Sequence, residues 1–180
     1  MRGTTVAAIA GVTLAGLALA GCTATEKNAR YMAGKFRAQA DLQMADGTLV
    51  GTGIAEEVEG DIRVIVSVKG VAEGVHGVHI HTTGKCEAPG FTTAGGHWNP
   101  TAHQHGKENP AGPHMGDLPN LHTDKDGRDE VTLILKGATF AGLMDEDGAA
   151  LVVHAGPDDY KTDPSGNSGG RIACGVFQAM

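Results

Sequence analysis

Three short segments within residues 36–68, separated by turn residues, constrain the fold more than any other feature. Apolar side chains occupy every second position over residues 36–44 and again over 62–68, with a further strand predicted at 48–57. A period of two is typical of β-strands that bury one face. The sequences Ala-Asp-Gly at 45–47 and Glu-Gly-Asp at 59–61 predict hairpin turns between the runs.

The rest of the chain alternates short predicted strands with long polar stretches. Further strands are predicted at 75–81, 130–136, 149–154 and 171–177. The chain has 28 glycines, few aromatic residues and no long run of helix formers, which favours an all-β fold. Residues 82–129 and 155–170 have too few large apolar side chains to order themselves by burial. We therefore expect two long functional loops.

The N-terminal segment predicts export. Arg2 precedes an apolar run at 6–20 that is shorter than a bilayer-spanning helix and ends in Leu19-Ala-Gly-Cys22. This ending is similar to a bacterial lipobox. We expect a signal peptide over residues 1–21, a lipidated Cys22 with a tether over 22–33, and a folded domain over 34–180. The lipid would anchor the protein on the periplasmic or cell-surface side of a bacterial membrane. The alternative is an ordinary secretory leader without lipidation of Cys22.

Export determines how the two remaining cysteines are interpreted. Thiols outside the cytoplasm tend to be oxidised, so Cys86 and Cys174 are expected to form one disulfide. Two separate buried thiols are the alternative. With Cys22 lipidated, no thiol remains for thiolate catalysis or for a cysteine-ligated zinc site.

The histidines are concentrated around the first long loop, where seven of the nine lie inside the loop or at its mouth. His79 and His81 are two residues apart on a predicted strand, so both imidazoles project from one face and can reach one ion. Histidines and carboxylates without cysteine suit zinc or copper better than calcium or magnesium. Solvated or core histidines are the alternative for any single residue, but they explain the whole set poorly.

Six motifs follow one another along the chain. They are His-Gly-Val-His-Ile-His at 76–81, Ala-Gly-Gly-His-Trp-Asn-Pro at 94–100, His-Gly at 105–106, Pro-His-Met-Gly-Asp at 113–117, Val-Val-His at 152–154 and Gly-Asn-Ser-Gly-Gly-Arg-Ile-Ala-Cys-Gly at 166–175. In this order, over about residues 36–177, they resemble the motifs of bacterial copper,zinc superoxide dismutases. The resemblance implies an eight-stranded antiparallel Greek-key β-barrel or sandwich, with which the strand spacing is consistent.

The resemblance also implies the ligands of two metal ions. Copper would be bound by His79, His81, His97 and His154, and zinc by His97, His105, His114 and Asp117. His97 would bridge the ions as an imidazolate, and zinc would favour the loss of its second ring proton. The alternatives are a His97 that binds one metal only, and His103 in place of His105 as a zinc ligand.

Further assignments follow from the same resemblance. Asp158 would link a copper ligand to a zinc ligand by hydrogen bonds, with Asp159 as the alternative one position later. The family disulfide, matched by the two cysteines, would hold Arg171 near copper, where its guanidinium can attract an anion. A strand-surface arginine paired to a carboxylate is the alternative. Lys161 is a candidate for steering the substrate, and a solvated loop lysine is its alternative. His76 and His122 are expected to be structural or solvated.

Together these assignments predict an oxidoreductase that converts superoxide to oxygen and hydrogen peroxide with copper and zinc as cofactors. The rival interpretation is a non-catalytic surface lipoprotein that binds copper and zinc, or one whose metals only order its loops. A formal net charge of −7 and the lack of a basic patch argue against nucleic acid as a partner. The membrane is a partner only through the lipid on Cys22, and a monomer or a homodimer is compatible with the sequence.

Overall fold

The computed structural model describes Met1 and residues 36–180, so Cys22 and the predicted tether lie outside the described residues. The strands there are β1 (Arg37–Met44), β2 (Leu49–Val58), β3 (Asp61–Val68), β4 (Gly74–His76), β5 (Val78–His81), β6 (Leu121–Thr123), β7 (Asp129–Leu135), β8 (Ala150–His154), β9 (Arg171–Val176) and β10 (Gln178–Ala179). A 3-10 turn at Thr92–Ala94 and one short helix, α1 (Phe140–Leu143), accompany them. Nowhere in 36–180 is a helix long and apolar enough to cross a membrane.

Eight of these strands form one antiparallel sheet. Their order is β5-β8-β9-β1-β2-β3-β7, with β10 paired to β1. The neighbours β1–β9 and β3–β7 are distant in sequence, as expected for crossover connections of the Greek-key type. The short strands β4 and β6 pair with each other and lead directly into the edge strands β5 and β7. The β4–β6 pair therefore lies between the two edges of a curled sheet. The strand pairings are antiparallel, which confirms the predicted all-β antiparallel fold.

Both predicted hairpins are present. In the β2–β3 hairpin, Val58 pairs with Asp61, which leaves a two-residue loop. Its residues, Glu59 and Gly60, have φ angles of 55° and 86°. Two consecutive positive φ angles match the twist of the strands on either side, which is why short hairpins favour this turn.

The predicted alternation places one face of each strand in the core. Ala38, Ala40 and Leu42 of β1 are fully buried, and so are Val64 and Val66 of β3, within 1%. Most residues between them are exposed or half-buried. Burial of these aliphatic side chains holds the sheet curled and supplies a rigid frame for the loops.

Two elements differ from the sequence expectations. The strand predicted at 75–81 is interrupted at Gly77, and its halves pair with different partners, β6 and β8. Gly77 instead donates to Gly156 O at 2.8 Å and accepts from the His154 N–H at 2.8 Å. Strand β6 lies inside the stretch that was predicted to be loop, and its three residues are too few to show a period.

Two long loops connect the strands that carry the histidines. Loop 1 spans residues 82–120 between β5 and β6, and loop 2 spans residues 155–170 between β8 and β9. Strands β5 and β8 are antiparallel neighbours, so the two loops leave this pair at opposite ends, and they meet where the Glu108 N–H of loop 1 donates to Tyr160 O of loop 2 at 3.0 Å. The candidate site lies where loops 1 and 2 meet.

Candidate metal centre

Four histidines from three separate segments converge beside the paired strands β5 and β8. They are His79 and His81 of β5, His97 of loop 1 and His154 at the end of β8. All four are buried, and one ring nitrogen from each lies within 4.8 Å of the others. A backbone bridge between His81 and His97 fixes loop 1 against β5. We call this group the copper set.

Each histidine of the copper set has one ring nitrogen without a hydrogen-bond partner. These atoms are His79 Nδ1, His81 Nε2, His97 Nε2 and His154 Nε2, and no other side-chain nitrogen or oxygen buried within residues 36–180 lacks a partner. A buried polar atom without a partner is costly, so such atoms call for an explanation. Imidazole nitrogens turned toward one another are explained by a metal ion between them, and the donor set fits copper.

The opposite ring nitrogens of the copper set are held by the protein. Nδ1 of His81 lies 2.9 Å from Gly95 O, and Nδ1 of His154 lies 3.3 Å from Gly169 O. A ring N–H that donates to a carbonyl leaves the lone pair on the other nitrogen, which is the form that binds metals. Both glycines belong to motifs noted in the sequence, although their carbonyls were not predicted to accept hydrogen bonds from the histidines.

Burial keeps three of these imidazoles neutral. It lowers the pKa of His79 to about 4, that of His81 to about 2 and that of His154 to about 3. All three are therefore unprotonated at neutral pH. A neutral imidazole needs to lose no proton before it binds a cation.

The second group of ligands surrounds Asp117, and we call it the zinc set. Nδ1 of His97, His105 and His114 lies 2.9, 3.0 and 3.3 Å from Asp117 Oδ1. The other carboxylate oxygen accepts from the backbone N–H groups of Gly106 and His114, at 2.9 and 3.0 Å. Three imidazoles and one carboxylate match the ligands and number of a tetrahedral zinc site.

His79 also comes within 4.8 Å of His97, His105 and Asp117. Its Nε2, however, bonds to Asp158 Oδ2 at 2.8 Å, and its Nδ1 is the unpartnered atom of the copper set. His114 is therefore the better fourth member of the zinc set, and its Nδ1 lies 3.4 Å from that of His97.

Asp158 connects the two sets. Its Oδ2 bonds to Nε2 of His79 in the copper set, and its Oδ1 bonds to Nε2 of His105 in the zinc set at 2.9 Å. Asp158 is buried, whereas the neighbouring Asp159 is exposed and accepts the backbone N–H groups of Lys161 and Thr162 in a local turn. The geometry thus places Asp158, and not Asp159, between the two sets.

Arg171 lies at the mouth of the copper set. It lines a cleft of about 410 Å³ together with His81, His97 and His154. Its guanidinium donates to Phe91 O and Gly95 O, both at 2.6 Å. Within residues 36–180 no carboxylate pairs with it, so its positive charge is available to an anion entering the cleft. Burial lowers the pKa of this guanidinium.

A disulfide joins Cys86 of loop 1 to Cys174 of β9, as predicted. Its half-cystines pack with Phe91, Ala94 and Val152 in a small apolar cluster. The cluster fixes the part of loop 1 whose carbonyls hold Arg171.

Comparisons with known proteins agree with this geometry. The family described as copper/zinc superoxide dismutase (SODC) matches residues 47–177, well over half of the chain. The chain belongs to the copper/zinc superoxide dismutase family. Membership makes it an oxidoreductase whose cofactors are copper and zinc.

Relatives of known name include bacterial members of this family. The chain is 41% identical over 149 residues to superoxide dismutase (Cu-Zn) 2 of Aquifex aeolicus (strain VF5), covering 79% of this chain and 87% of that protein. It is 38% identical to the copper-zinc superoxide dismutase of Caulobacter vibrioides, covering 78% and 85%.

Solved structures show the same fold. The copper/zinc superoxide dismutase from Brucella abortus superposes with a TM-score of 0.64 at 31% identity, covering 79% of this chain and 99% of that one. A superoxide dismutase-like protein from Bacillus subtilis superposes with a TM-score of 0.70 at 36% identity, covering 78% and 97%.

Four other polar residues singled out in the sequence stay outside both sets. His76 is buried, and its ring nitrogens face His154 O and Ala72 O at 2.8 and 2.9 Å. His103 is exposed and contacts Pro113 O, and His122 is exposed. Lys161 pairs with Glu108 at 3.0 Å and does not line the cleft. Its charge is therefore partly balanced before any substrate arrives.

Sequence reasoning missed Asn120, which is buried directly under Asp158. Its amide oxygen accepts the Asp158 N–H and its amide nitrogen donates to Asp158 O, both at 2.9 Å. Its position three residues after Asp117 was the only signal in the sequence, and spacing alone does not indicate such a contact.

Proposed function

We propose that this chain dismutates superoxide to oxygen and hydrogen peroxide at a copper ion and a zinc ion that share His97. The observation that carries the proposal is the orientation of that ring. Its Nε2 is the unpartnered atom facing the copper set, while its Nδ1 lies 2.9 Å from Asp117 in the zinc set. One imidazole therefore faces both sets of ligands with different nitrogens.

The proposed ligands are the members of the copper set and the zinc set. Copper would be held by the four unpartnered nitrogens of His79, His81, His97 and His154, and zinc by Asp117 with Nδ1 of His97, His105 and His114. When bound, copper supplies one-electron redox chemistry between two superoxide anions, and zinc supplies a fixed positive charge without redox chemistry.

His97 would also carry a proton. Because Nδ1 belongs to the zinc set, Nε2 is the atom of this ring that can gain and lose a proton during turnover. His97 is one of the residues that line the cleft, together with Arg171, so a proton on this ring would lie close to an anion bound there. A nearby proton donor assists the formation of hydrogen peroxide, which needs two protons for each pair of superoxide anions.

Arg171 would bind and orient the anion. The chain as a whole is acidic, with a formal net charge of −7, but the local field at the cleft decides how superoxide approaches. A guanidinium held by two backbone carbonyls presents its remaining N–H groups without first losing side-chain freedom. The ion pair with Glu108 makes Lys161 a weaker candidate for the same role.

A non-catalytic surface protein that binds copper and zinc is the second candidate. It is favoured by the likeness to a Bacillus subtilis protein that is named only as superoxide dismutase-like, 41% identical over 130 residues. Such a protein would have no use for an unpaired arginine beside the copper set. Arg171 therefore favours the enzyme.

The experiment is catalysed superoxide decay by the full chain loaded with copper and zinc, compared with three variants. We expect His79→Ala to abolish catalysis, Arg171→Ala to slow it about tenfold at low salt, and His122→Ala, an exposed control, to match the wild type. Equal rates for wild type and His79→Ala would favour the non-catalytic alternative.

We also propose that the chain is exported as a lipoprotein anchored through Cys22, with a folded domain over 34–180. The Cys86–Cys174 disulfide supports an oxidising compartment. Mass spectrometry of the membrane fraction should find a diacylglyceryl group on Cys22, and Cys22→Ala should release the protein. Sedimentation of the purified chain would decide between a monomer and a homodimer.

A further inference from the structure

A tyrosine that belongs to neither metal set joins the two long loops. Tyr160, in loop 2, is half-buried and has a left-handed backbone with a φ angle of 62°. Residues other than glycine rarely adopt this conformation, because it is strained, and they keep it where surrounding contacts enforce it. The contacts that enforce it here come mainly from loop 1.

Four residues of loop 1 contact Tyr160. The backbone N–H of Asn120 donates to the phenol oxygen at 2.8 Å, and that of Glu108 donates to the Tyr160 carbonyl at 3.0 Å. The ammonium of Lys107 lies 3.8 Å from the ring centroid, in a cation–π contact. A Cβ atom at Gly106 would lie 2.1 Å from the same carbonyl oxygen, so this close approach needs glycine there.

The same tyrosine fixes the carboxylate that links the two metal sets. The Tyr160 N–H donates to Asp158 Oδ1 at 2.6 Å, the oxygen that also bonds to Nε2 of His105. The Asn120 amide holds the backbone of Asp158 from both sides. Tyr160 is thus linked to Asp158 in two ways. Its backbone N–H bonds to the Asp158 carboxylate directly, and its phenol oxygen bonds to Asn120, which holds the Asp158 backbone.

We propose that Tyr160 is a positioning residue of the metal centre, holding Asp158 where one carboxylate can serve His79 and His105 together. The assignment of the ligands to copper and to zinc rests on the proposed function. Without the phenol oxygen, the N–H of the buried Asn120 loses its acceptor, and Asp158 is free to move relative to both histidines. Because Asp158 orients a ligand of each metal, both sites should respond.

The test is Tyr160→Phe in the full chain, which removes the phenol oxygen and keeps the ring, the Lys107 contact and the backbone bonds. We expect zinc affinity to fall about tenfold, the lower end of the range for groups that orient metal ligands. It is measured by competition with a chromogenic chelator. With zinc saturating, the Cu(II) EPR spectrum should also change. His122→Ala, at an exposed histidine that belongs to neither metal set, is the control and should alter neither quantity.

Two outcomes would overturn the inference. One is zinc affinity within twofold of wild type, whatever happens to the unfolding temperature. The other is weaker zinc binding with an unchanged Cu(II) EPR spectrum. That result would mean that the substitution loosens loop 1 in general, leaves His79 undisturbed and does not act through Asp158. Neither readout depends on catalysis. Failure of the wild type to consume superoxide would therefore remove the proposed function and leave this inference standing.

Discussion

At the scale of single residues, His105 shows how closely the charges of the centre are coupled. Burial disfavours its imidazolium, but hydrogen bonds to Asp117 and Asp158 outweigh burial and raise the pKa of His105 to about 9. Burial also disfavours the charged forms of Asp117 and Asp158, which by itself raises the pKa of each carboxyl group. Their hydrogen bonds to histidines outweigh burial and leave both pKa values well below the usual range. The metal-free zinc set therefore contains a cation at neutral pH.

Zinc binding must displace a proton from the His105 imidazolium. Below pH 9 the metal-free His105 is protonated, and its Nδ1 has to lose a proton before it can bind an ion. We expect zinc binding at pH 7 to release about one proton from this residue and apparent affinity to rise about tenfold per pH unit up to about pH 9. Calorimetry in buffers of different ionisation enthalpy measures the proton count. No proton release would contradict the assignment of His105.

Sequence analysis reached the residue scale only in part. It chose His105 over His103 because His-Gly matched a motif, and the structure places His105 in the zinc set while His103 contacts Pro113 O in solvent. It left Asp158 and Asp159 as alternatives, because adjacent carboxylates in a loop have no periodicity that would tell which one points inward. That distinction depends on the turn after Asp158, which only the folded loop reveals.

At the scale of elements, the strands follow from the alternation of side chains. Strands β1 and β3 match the predicted runs within a residue. The alternation says which face is buried but not which strand is the partner, so the change of partner at Gly77 could not be predicted. Strand β8, in contrast, is buried along its whole length, because its residues face the core on one side and the disulfide cluster on the other.

This double burial makes β8 sensitive to substitution. Leu151 is fully buried in the main core, whereas Leu49 at the start of β2 is 59% exposed. We expect Leu151→Ala to lower the free energy of unfolding by about 2–5 kcal/mol and the matched control Leu49→Ala by less than about 0.5 kcal/mol. Chemical denaturation of the metal-loaded chain gives both values. Similar losses for the two variants would contradict the described packing.

At the scale of the whole molecule, the barrel and the two loops are held by different forces. The strands bury a continuous apolar core, whereas loop 1 carries four of the seven residues of the two metal sets, loop 2 carries Asp158, which links the sets, and both loops have few large apolar side chains. Motif order was enough to predict which distant residues meet, because the resemblance supplied the fold. Spacing alone could not have brought His154 to His79, which are 75 positions apart and are joined only by the β5–β8 pairing.

Metal removal should therefore loosen the loops more than the barrel. A bound ion stabilises the folded state and orders the segments that supply its ligands or hold those ligands by hydrogen bonds, as loop 2 does through Asp158 and Gly169. Hydrogen exchange of the metal-free chain should accelerate in residues 82–120 and 155–170, outside the stretch tied by the disulfide, while β1, β2 and β3 stay protected. Equal acceleration in strands and loops would show that the barrel is not independently stable.

We propose that copper bound beside zinc performs the dismutation. The most direct measurement is superoxide decay after pulse radiolysis, with the full chain loaded with zinc alone and then with copper and zinc in equal amounts. We expect no catalysis by the zinc form and rapid decay, in proportion to the bound metal, with both ions. Equal decay in the two samples, with copper shown to be bound at the four histidines, would contradict it.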